Sequence, residues 1–449
     1  MDTFTRGKLS TTIWQISWPM MLIMIFNFAV GFTDIYVAGL ISSEVQAAVG
    51  FVSQLYFLLI IIANAISTGT IALVSRNIGA ANVAYAVSNA KQSLIFGVFC
   101  AIGLSVTFLI FYREIIATAG FPSTIRPTAE TFLRIFACAL GPNYLLIISN
   151  GIFRASGEVK KPLLTMFTVS TLNVIGDFVL VFGLFSLPRM GYAGIAVATA
   201  FSVSVGMVIN LFLFSSHRWK HLYQRPWSIV LATVRQIISL GWPAALLQIA
   251  WNAGSIVLYN ILGRLGDASI SALAAITNGL RIEAIIFLPA FALNMAASVL
   301  VGQNLGAGNP TRAAQLGWRT ALLGVTLLTI LSGIIFIWAE QCAALLTHDP
   351  AVRAETTRYL KINMFSEPFM ALSLILGGGL QGAGDTRGTM KVIITGMWFV
   401  RLPLAFVLAF VLGYGARGVW IAMLVSMVVQ GTLMALRFYK GDWKKLPLP

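Results

Sequence analysis

Residues 12–40 read TIWQISWPMMLIMIFNFAVGFTDIYVAGL, and this stretch decides what kind of molecule the chain makes. It contains one acid, Asp34, and no base. A hydrocarbon core about 30 Å thick needs about 20 helical residues, so the run is long enough to cross a bilayer. An ionisable group inside such a run costs at least about 2.5–3.5 kcal/mol. Asp34 is therefore either compensated and useful, or an interfacial cap on a helix that ends near Thr33.

The rest of the 449 residues has the same character: 58% are hydrophobic, 10% are charged, and the mean hydropathy is +0.86. An ordinary globular domain is about 25% charged, so this composition is that of a polytopic membrane protein. Apolar runs occur at about 12–40, 47–75, 92–112, 131–153, 162–187, 191–216, 236–263, 270–302, 316–339, 359–380, 389–413 and 415–436, which makes twelve expected spans. Arg6 and Lys8 precede the first run, which is too long for a signal-peptide core and is followed by no A-x-A site, so it is expected to stay as the first helix.

The net charge of +15 invites a nucleic-acid reading, but the bases are spread over successive connections rather than gathered on one soluble face. With the N-terminus inside, nineteen of the 30 Lys and Arg residues fall on the cytoplasmic side, nine fall outside, and Arg281 and Arg401 stay within spans. That bias places both termini in the cytoplasm, in what is expected to be the inner (cell) membrane of a prokaryote. Cys100, Cys138 and Cys342 are far apart in or beside apolar runs, without C-x-x-C or Cys/His ligand spacing, and are expected to be buried thiols.

The longest basic connection, 217–235, divides the chain into an N-terminal lobe, 1–216, and a C-terminal lobe, 236–449, of six spans each. The halves are repeats. Val74-Ser-Arg-Asn-Ile-Gly-Ala-Ala-Asn82 returns as Val301-Gly-Gln-Asn-Leu-Gly-Ala-Gly-Asn309, and Gly151-Ile-Phe-Arg-Ala-Ser-Gly-Glu158 as Gly378-Gly-Leu-Gln-Gly-Ala-Gly-Asp385, both at an offset of 227. Trp18-Pro19 matches Trp242-Pro243 at 224. An even number of spans per half gives the halves the same orientation, related by a pseudo-two-fold axis along the membrane normal. The expected fold is thus an all-α membrane protein with twelve transmembrane helices in two six-helix lobes.

Four acids fall within spans: Asp34, Asp177, Glu283 and Glu367. A purely structural acid should often survive in both copies of a repeat, yet Asp34 maps to Leu258, and Asn173 and Asp177 map to Val400 and Leu404. Asn173 and Asp177, four apart, lie on one helical face. At 1.5 Å per residue, Asp34, Asp177 and Thr199 come at roughly 9–15 Å from the outer ends of their runs, so one N-lobe pocket can hold all of them. Two carboxylates in a desolvated pocket disfavour joint ionisation, so the pair can hold a proton; with an amide and a hydroxyl oxygen it can equally coordinate Na⁺. The bland alternative for Asn173 and Asp177 is interhelical hydrogen bonding. Asn150, one turn before Arg154, lies too shallow to join the group and is a weaker candidate. Glu283 and Glu367 are weaker candidates in the second lobe, as suited to structural pairing as to function. Pro19 shares a helix with Asp34 and is a candidate hinge, since proline frees a backbone carbonyl and favours kinks.

Soluble-enzyme signals are absent: there is no H-E-x-x-H, G-x-S-x-G or phosphate-binding G-K-[ST], and no catalytic residue or cofactor is expected. Frequent Phe, Trp, Tyr and Met would suit a central cavity for bulky, planar, cationic molecules.

Taken together, the Trp18-Pro19 start, the paired V-x-x-N-x-G-A-x-N segments, and Arg154-Ala-Ser-Gly-Glu158 with Gln381-Gly-Ala-Gly-Asp385 resemble the multidrug and toxic compound extrusion family over nearly the whole chain. The resemblance implies efflux of organic cations and other drugs in exchange for H⁺ or Na⁺ by rocking of two lobes. An Asp on the first helix with N-x-x-x-D on the fifth resembles the branch of the DNA-damage-inducible F protein and archaeal members. By that likeness Asp34, Asn173, Asp177 and Thr199 match an N-lobe cation site, with Asn150 a further polar member. The sodium-driven NorM branch has acids on its seventh and tenth helices, where this chain has Trp251 or Asn252 and Met370, which favours proton coupling through the N-lobe. The expected protein is a cation-coupled antiporter, expected to be monomeric, with cationic amphipathic substrates and lipid as its contacts and no nucleic acid. A lipid or lipid-linked sugar flippase of the same superfamily is the alternative; it would want a more cationic cavity than Arg281 and Arg401 supply. An intramembrane enzyme lacks a catalytic motif in the spans, and a channel sits poorly with a bilobed repeat that carries an asymmetric acid pair.

Overall fold

The computed structural model describes all residues except 1–3, 119–121, 124, 216–217, 225–227 and 447–449, so His217 and Arg225 of the basic connection lie outside the described residues. Eleven segments among the described residues are long and apolar enough to span a membrane. They are α1 (Leu9–Ile41), α2 (Ser43–Gly79), α3 (Val83–Thr118), α4 (Arg126–Ala155), α5 (Lys160–Phe182), α6 (Tyr192–Phe214), α7 (Leu231–Gly263), α8 (Ser269–Gly306, with a short 3₁₀ lead-in), α9 (Pro310–Ile337), the Thr386–Val411 segment and α15 (Gly415–Lys440). The remaining expected span, 359–380, is not continuous. It is made of α11 (Pro350–Asn363) and α12 (Glu367–Gly382), broken at 364–366, and a short α10 (Ala339–Leu346) precedes it. Most helices outrun their apolar stretches, because polar residues at the ends continue the backbone hydrogen bonding beyond the part that lipid demands.

The Thr386–Val411 segment is irregular. Helix α13 (Thr386–Ile394) passes into a π-helical stretch at Thr395–Arg401, then α14 (Leu402–Phe406), then a second π stretch at Val407–Val411. Pro403, whose missing N–H and ring disturb regular bonding, lies between the two π stretches.

The chain divides into two compact units. One contains Leu22–Trp242; the other contains Phe4–Met21 and the chain from Pro243 onward. The divisions fall inside α1 and α7, two residues after Pro19 and directly before Pro243. Each proline removes a donor and frees the carbonyl four residues earlier, Gln15 and Ser239, which weakens the helix where the units part.

In the first unit, Val37, Val49, Phe132, Leu140, Tyr144 and Ile195 belong to the core between α1, α2, α4 and α6. Gly69 of α2 faces the Ile237 carbonyl, and Gly241 of α7 faces the Ala65 carbonyl, so the first part of α7 approaches α2 at backbone distance. In the second unit, Leu293, Val301, Ile375, Leu380, Val419 and Phe438 form the equivalent centre. Gly378 and Gly382 of α12 lie against the backbone of Asn294 and Ser298, leaving no room for a side chain. The N-terminal segment is held there as well: Phe4 N donates to Gln303 Oε1 (3.2 Å), Asn304 Nδ2 donates to Phe4 O (3.1 Å), and Arg312 Nη2 donates to Arg6 O (3.0 Å).

The repeated motifs are helix ends. Asn82 N bonds to Asn77 O and Asn309 N to Asn304 O, both at 2.9 Å; Glu158 N bonds to Phe153 O (2.9 Å) and Asp385 N to Leu380 O (2.8 Å). All four are six-to-one bonds of the kind that closes a helix through a left-handed residue. That residue is Ala81 (φ 58°) and Gly308 in the first pair, and Gly157 and Gly384 in the second. Each acid of the second pair then fastens its helix end to a later segment of its own unit. Glu158 pairs with Lys161 and accepts from Trp219 Nε1 (2.9 Å), and Asp385 takes two bonds from Arg437 (2.6 and 2.9 Å). Of the three thiols, Cys100 and Cys342 are half-buried, whereas Cys138 is exposed on the outward face of α4, against the expectation of burial.

Candidate functional site

The fifth helix stops earlier than its apolar run. Gly183 takes a left-handed conformation (φ 71°) and caps α5, so Asp177 lies five residues from the helix end rather than about ten. Asp34 is seven residues from the end of α1, and Thr199 is seven residues from the start of α6. At 1.5 Å per residue all three sit about 8–11 Å from their helix ends, a tighter match of depth than the apolar runs suggest. Small residues then draw α5 and α6 together: Gly176 faces Ala198, and Gly194 faces the backbone of Leu180 and Val181.

The result is one cluster. Asn173 Nδ2 donates to Asp34 Oδ1 (3.3 Å) and to Thr199 Oγ1 (3.0 Å). The Thr199 hydroxyl lies 3.4 Å from Asp34 Oδ2 and 3.1 Å from the Ile195 carbonyl. Asp177 sits beside the Asp34 carboxyl. Asn173 and Asp177 are fully buried, and Asp34 and Thr199 are half-buried. Asp34 thus has its donors, while both oxygens of Asp177 and the Asn173 Oδ1 have none. A buried acceptor without a donor costs roughly 1–3 kcal/mol, and a buried charge costs more. The set of six oxygens with two carboxylates is built to receive something positive.

Asn150 is held elsewhere. Asn210 Nδ2 donates to Asn150 Oδ1 (2.8 Å) and Ser149 Oγ (2.7 Å), while Thr165 Oγ1 donates to Asn210 Oδ1 (2.7 Å). The sequence reading missed Asn210 and Thr165; the signal that would have found them is a lone amide in the apolar run of α6. Glu283 and Glu367 are both buried in the second unit, where Tyr359 and Arg401 accompany them. Pro19 lies within α1.

Carboxylates enclosed among apolar spans occur in transporters, and the family match and the named relatives place this protein in the class of membrane transporters rather than enzymes. The MatE family profile matches residues 19–179 and 243–407, one match per half. The chain is a member of the MatE family. Among curated relatives, the Probable multidrug resistance protein NorM of Thermotoga maritima is 27% identical over 441 residues, covering 96% of this chain and 92% of that protein. The protein of the same name from Bradyrhizobium diazoefficiens is 28% identical, covering 94% and 92%. The Uncharacterized transporter YisQ of Bacillus subtilis is 22% identical, covering 96% and 94%. Among solved structures, a MOP superfamily transporter from Pyrococcus furiosus superposes with a TM-score of 0.90 at 20% identity, covering 99% of this chain and 98% of that one. The Vibrio cholerae MATE transporter VcmN in its bent form gives 0.89 at 21%, covering 96% and 97%.

Proposed function

We propose that the protein is a cation-coupled antiporter that exports organic, predominantly cationic molecules, with H⁺ as the coupling ion and Na⁺ as the alternative occupant. The observation that carries this reading is Asp177: fully buried, beside a second carboxyl, with no donor for either oxygen. A proton on one carboxyl gives the other the donor it lacks and halves the charge of the pair, and it does so without any movement of α1 or α5.

In the proposed cycle, Asp34 and Asp177 load a cation from the outer side, substrate leaves, and the loaded lobe returns inward. Each charge moved down the membrane potential supplies about 2.3 kcal/mol per 100 mV. Helix α1 links site and substrate path: Asp34 is on one face, while Phe28, Phe32 and Tyr36 form an exposed stack on another, with centroids 6.0 and 6.2 Å apart. Such rings suit planar cations. The multidrug names of the NorM relatives agree with this substrate class. The protein is taken to work as a monomer in the cell membrane with both termini cytoplasmic.

The test is efflux of a fluorescent organic cation from proteoliposomes under an imposed pH or Na⁺ gradient. A pH gradient alone should drive efflux in wild type, and Asp34→Asn or Asp177→Asn should abolish it. Efflux indifferent to both substitutions would remove the cluster from the mechanism; drive by Na⁺ alone would replace the proton.

A further inference from the structure

The first unit has a groove on its apolar outer face. Helices α3 and α6 each pack along α4 but scarcely against each other, so a strip of α4 is left uncovered between them. Phe99, Ile102 and Val106 of α3 and Val208 and Phe212 of α6 are half or more exposed on either side, as residues turned to lipid are. Between these walls lies a cavity of about 510 Å³, lined by Leu109 of α3, by Arg134, Ile135 and Cys138 of α4, and by Val197 and Phe201 of α6. On α4 the lining runs from Thr131 to Ala139 and on α6 from Val197 to Ser204, at positions three and four apart that share one helical face. At 1.5 Å per residue the groove is about 10–12 Å long, close to the roughly 15 Å of hydrocarbon in one leaflet. Thr199 lies on the opposite face of α6, so the groove is distinct from the cation cluster.

The free polarity of the groove is at one end. The Thr131 hydroxyl donates to the Pro127 carbonyl (2.8 Å) and the Ser204 hydroxyl to the Ala200 carbonyl (2.7 Å), so both are returned to their own helices. Arg134 remains. Its guanidinium lies over the Tyr112 ring of α3 (5.4 Å), and that of Arg113 lies over the same ring (5.6 Å), with Arg113 Nε donating to the Tyr112 hydroxyl (3.0 Å). Both arginines are exposed, and among the described residues neither pairs with a carboxylate, although Glu114 and Glu130 are within one turn of them in sequence. An exposed cation gains less from a ring face than from the forked bonds that a guanidinium makes to phosphate oxygens. The other end of the same cleft differs. A cavity of about 360 Å³ there also has one base at its rim, Lys91, but its ammonium donates to the Gln224 carbonyl and Tyr223 closes over it.

We infer that the groove between α3 and α6 is a binding site for one anionic phospholipid, with its phosphate on Arg134 beside Arg113 and an acyl chain along α4 as far as Ser204. Charge and shape both select this occupant. An apolar trough with cations only at its mouth fits a molecule that is apolar along its length and anionic at one end. A zwitterionic headgroup would bring an ammonium for which the two arginines supply no partner. The phosphate end lies by the connection from α3 to α4, and Arg134, eight residues into α4, reaches the headgroup level by extending along the groove.

The test uses the full-length protein purified in detergent and titrated with dioleoyl phosphatidylglycerol or dioleoyl phosphatidylcholine, which share chains and differ in headgroup charge. Native mass spectrometry counts the lipids retained. Wild type should hold one phosphatidylglycerol about tenfold more tightly than phosphatidylcholine, the scale of one charge-assisted contact. Arg134→Gln should remove that preference, whereas Arg189→Gln, at an exposed base outside the groove, should keep it. Ala200→Phe, which fills the groove without altering charge, should weaken both lipids alike. Arg134 is exposed and contacts only a ring, so Arg134→Gln folds whatever Ala200→Phe does, and a thermal melt identifies the folded variants. Equal retention of the two lipids by wild type, a preference that survives Arg134→Gln or falls as far in Arg189→Gln, or undiminished retention by a folded Ala200→Phe overturns the site. So does a lipid-free dimer that Arg134→Gln dissolves, which would give the groove to a second copy of the chain.

Discussion

Asp177 illustrates how a single side chain can oppose the stability of the fold that encloses it. Its oxygens lack donors, so an amide in its place would gain a donor aimed at Asp34 and lose a buried charge. Asp177→Asn should therefore raise stability by about 1–3 kcal/mol while abolishing coupled efflux; a thermal melt of the purified protein in detergent reads the first, and the proteoliposome assay the second. A melt that falls would mean the carboxylate has a stabilising partner. At this scale the sequence was informative where polar residues share one helix: Asn173 and Asp177 could be put on one face from their spacing alone. It was silent on Tyr359 and Arg401, because nothing in a single chain reports which side chains from distant helices meet Glu283.

Helices carry the next set of consequences. Ala81 occupies the left-handed closing position that Gly308 occupies in the other repeat, at a penalty that a Cβ imposes and glycine avoids. Ala81→Gly should stabilise the protein by about 0.5–1 kcal/mol, visible as a raised melting temperature with transport unchanged. In α1 the argument turns on Pro19, which frees the Gln15 carbonyl close to the boundary between units. If that weak point lets α1 respond to loading at Asp34, Pro19→Ala should reduce efflux several-fold while the melt stays level or rises; equal efflux would retire the hinge. Element existence was legible from apolar runs, but element ends were not. The run through 187 hid the stop at Gly183, where the end is set by left-handed geometry rather than by polarity. The break at 364–366 was hidden too, since Met364-Phe365-Ser366 reads as ordinary apolar span.

For the molecule as a whole, two offsets in the sequence were enough to anticipate a duplicated helical transporter, because both repeated motifs close helices with the same backbone bonds. The likeness extends further than those motifs. Trp219 and Trp443 are 224 apart, each almost fully buried and each against a phenylalanine, Phe214 and Phe438, at the same spacing. Only the packing brings out that correspondence, because one Trp lies in a basic connection and the other near the C-terminus. Function was less legible than fold, since a cluster of oxygens fixes the sign of its guest before it fixes the guest.

The way the two units share α1 and α7 also has a consequence for how the protein is made. Residues 4–21 are synthesised long before the unit that starts at Pro243, with which they belong, and residues 231–242 belong with the unit translated before them. A nascent chain cannot complete its first half when that half has left the ribosome; it must wait for the opening turns of α7. The segment of Phe4 and Arg6 that leads into α1 meanwhile waits longer still, since Gln303, Asn304 and Arg312, its eventual partners, come 299 to 306 residues later. Duplication gave this chain two similar halves, and exchanging the first segment of each made their biogenesis a joint event.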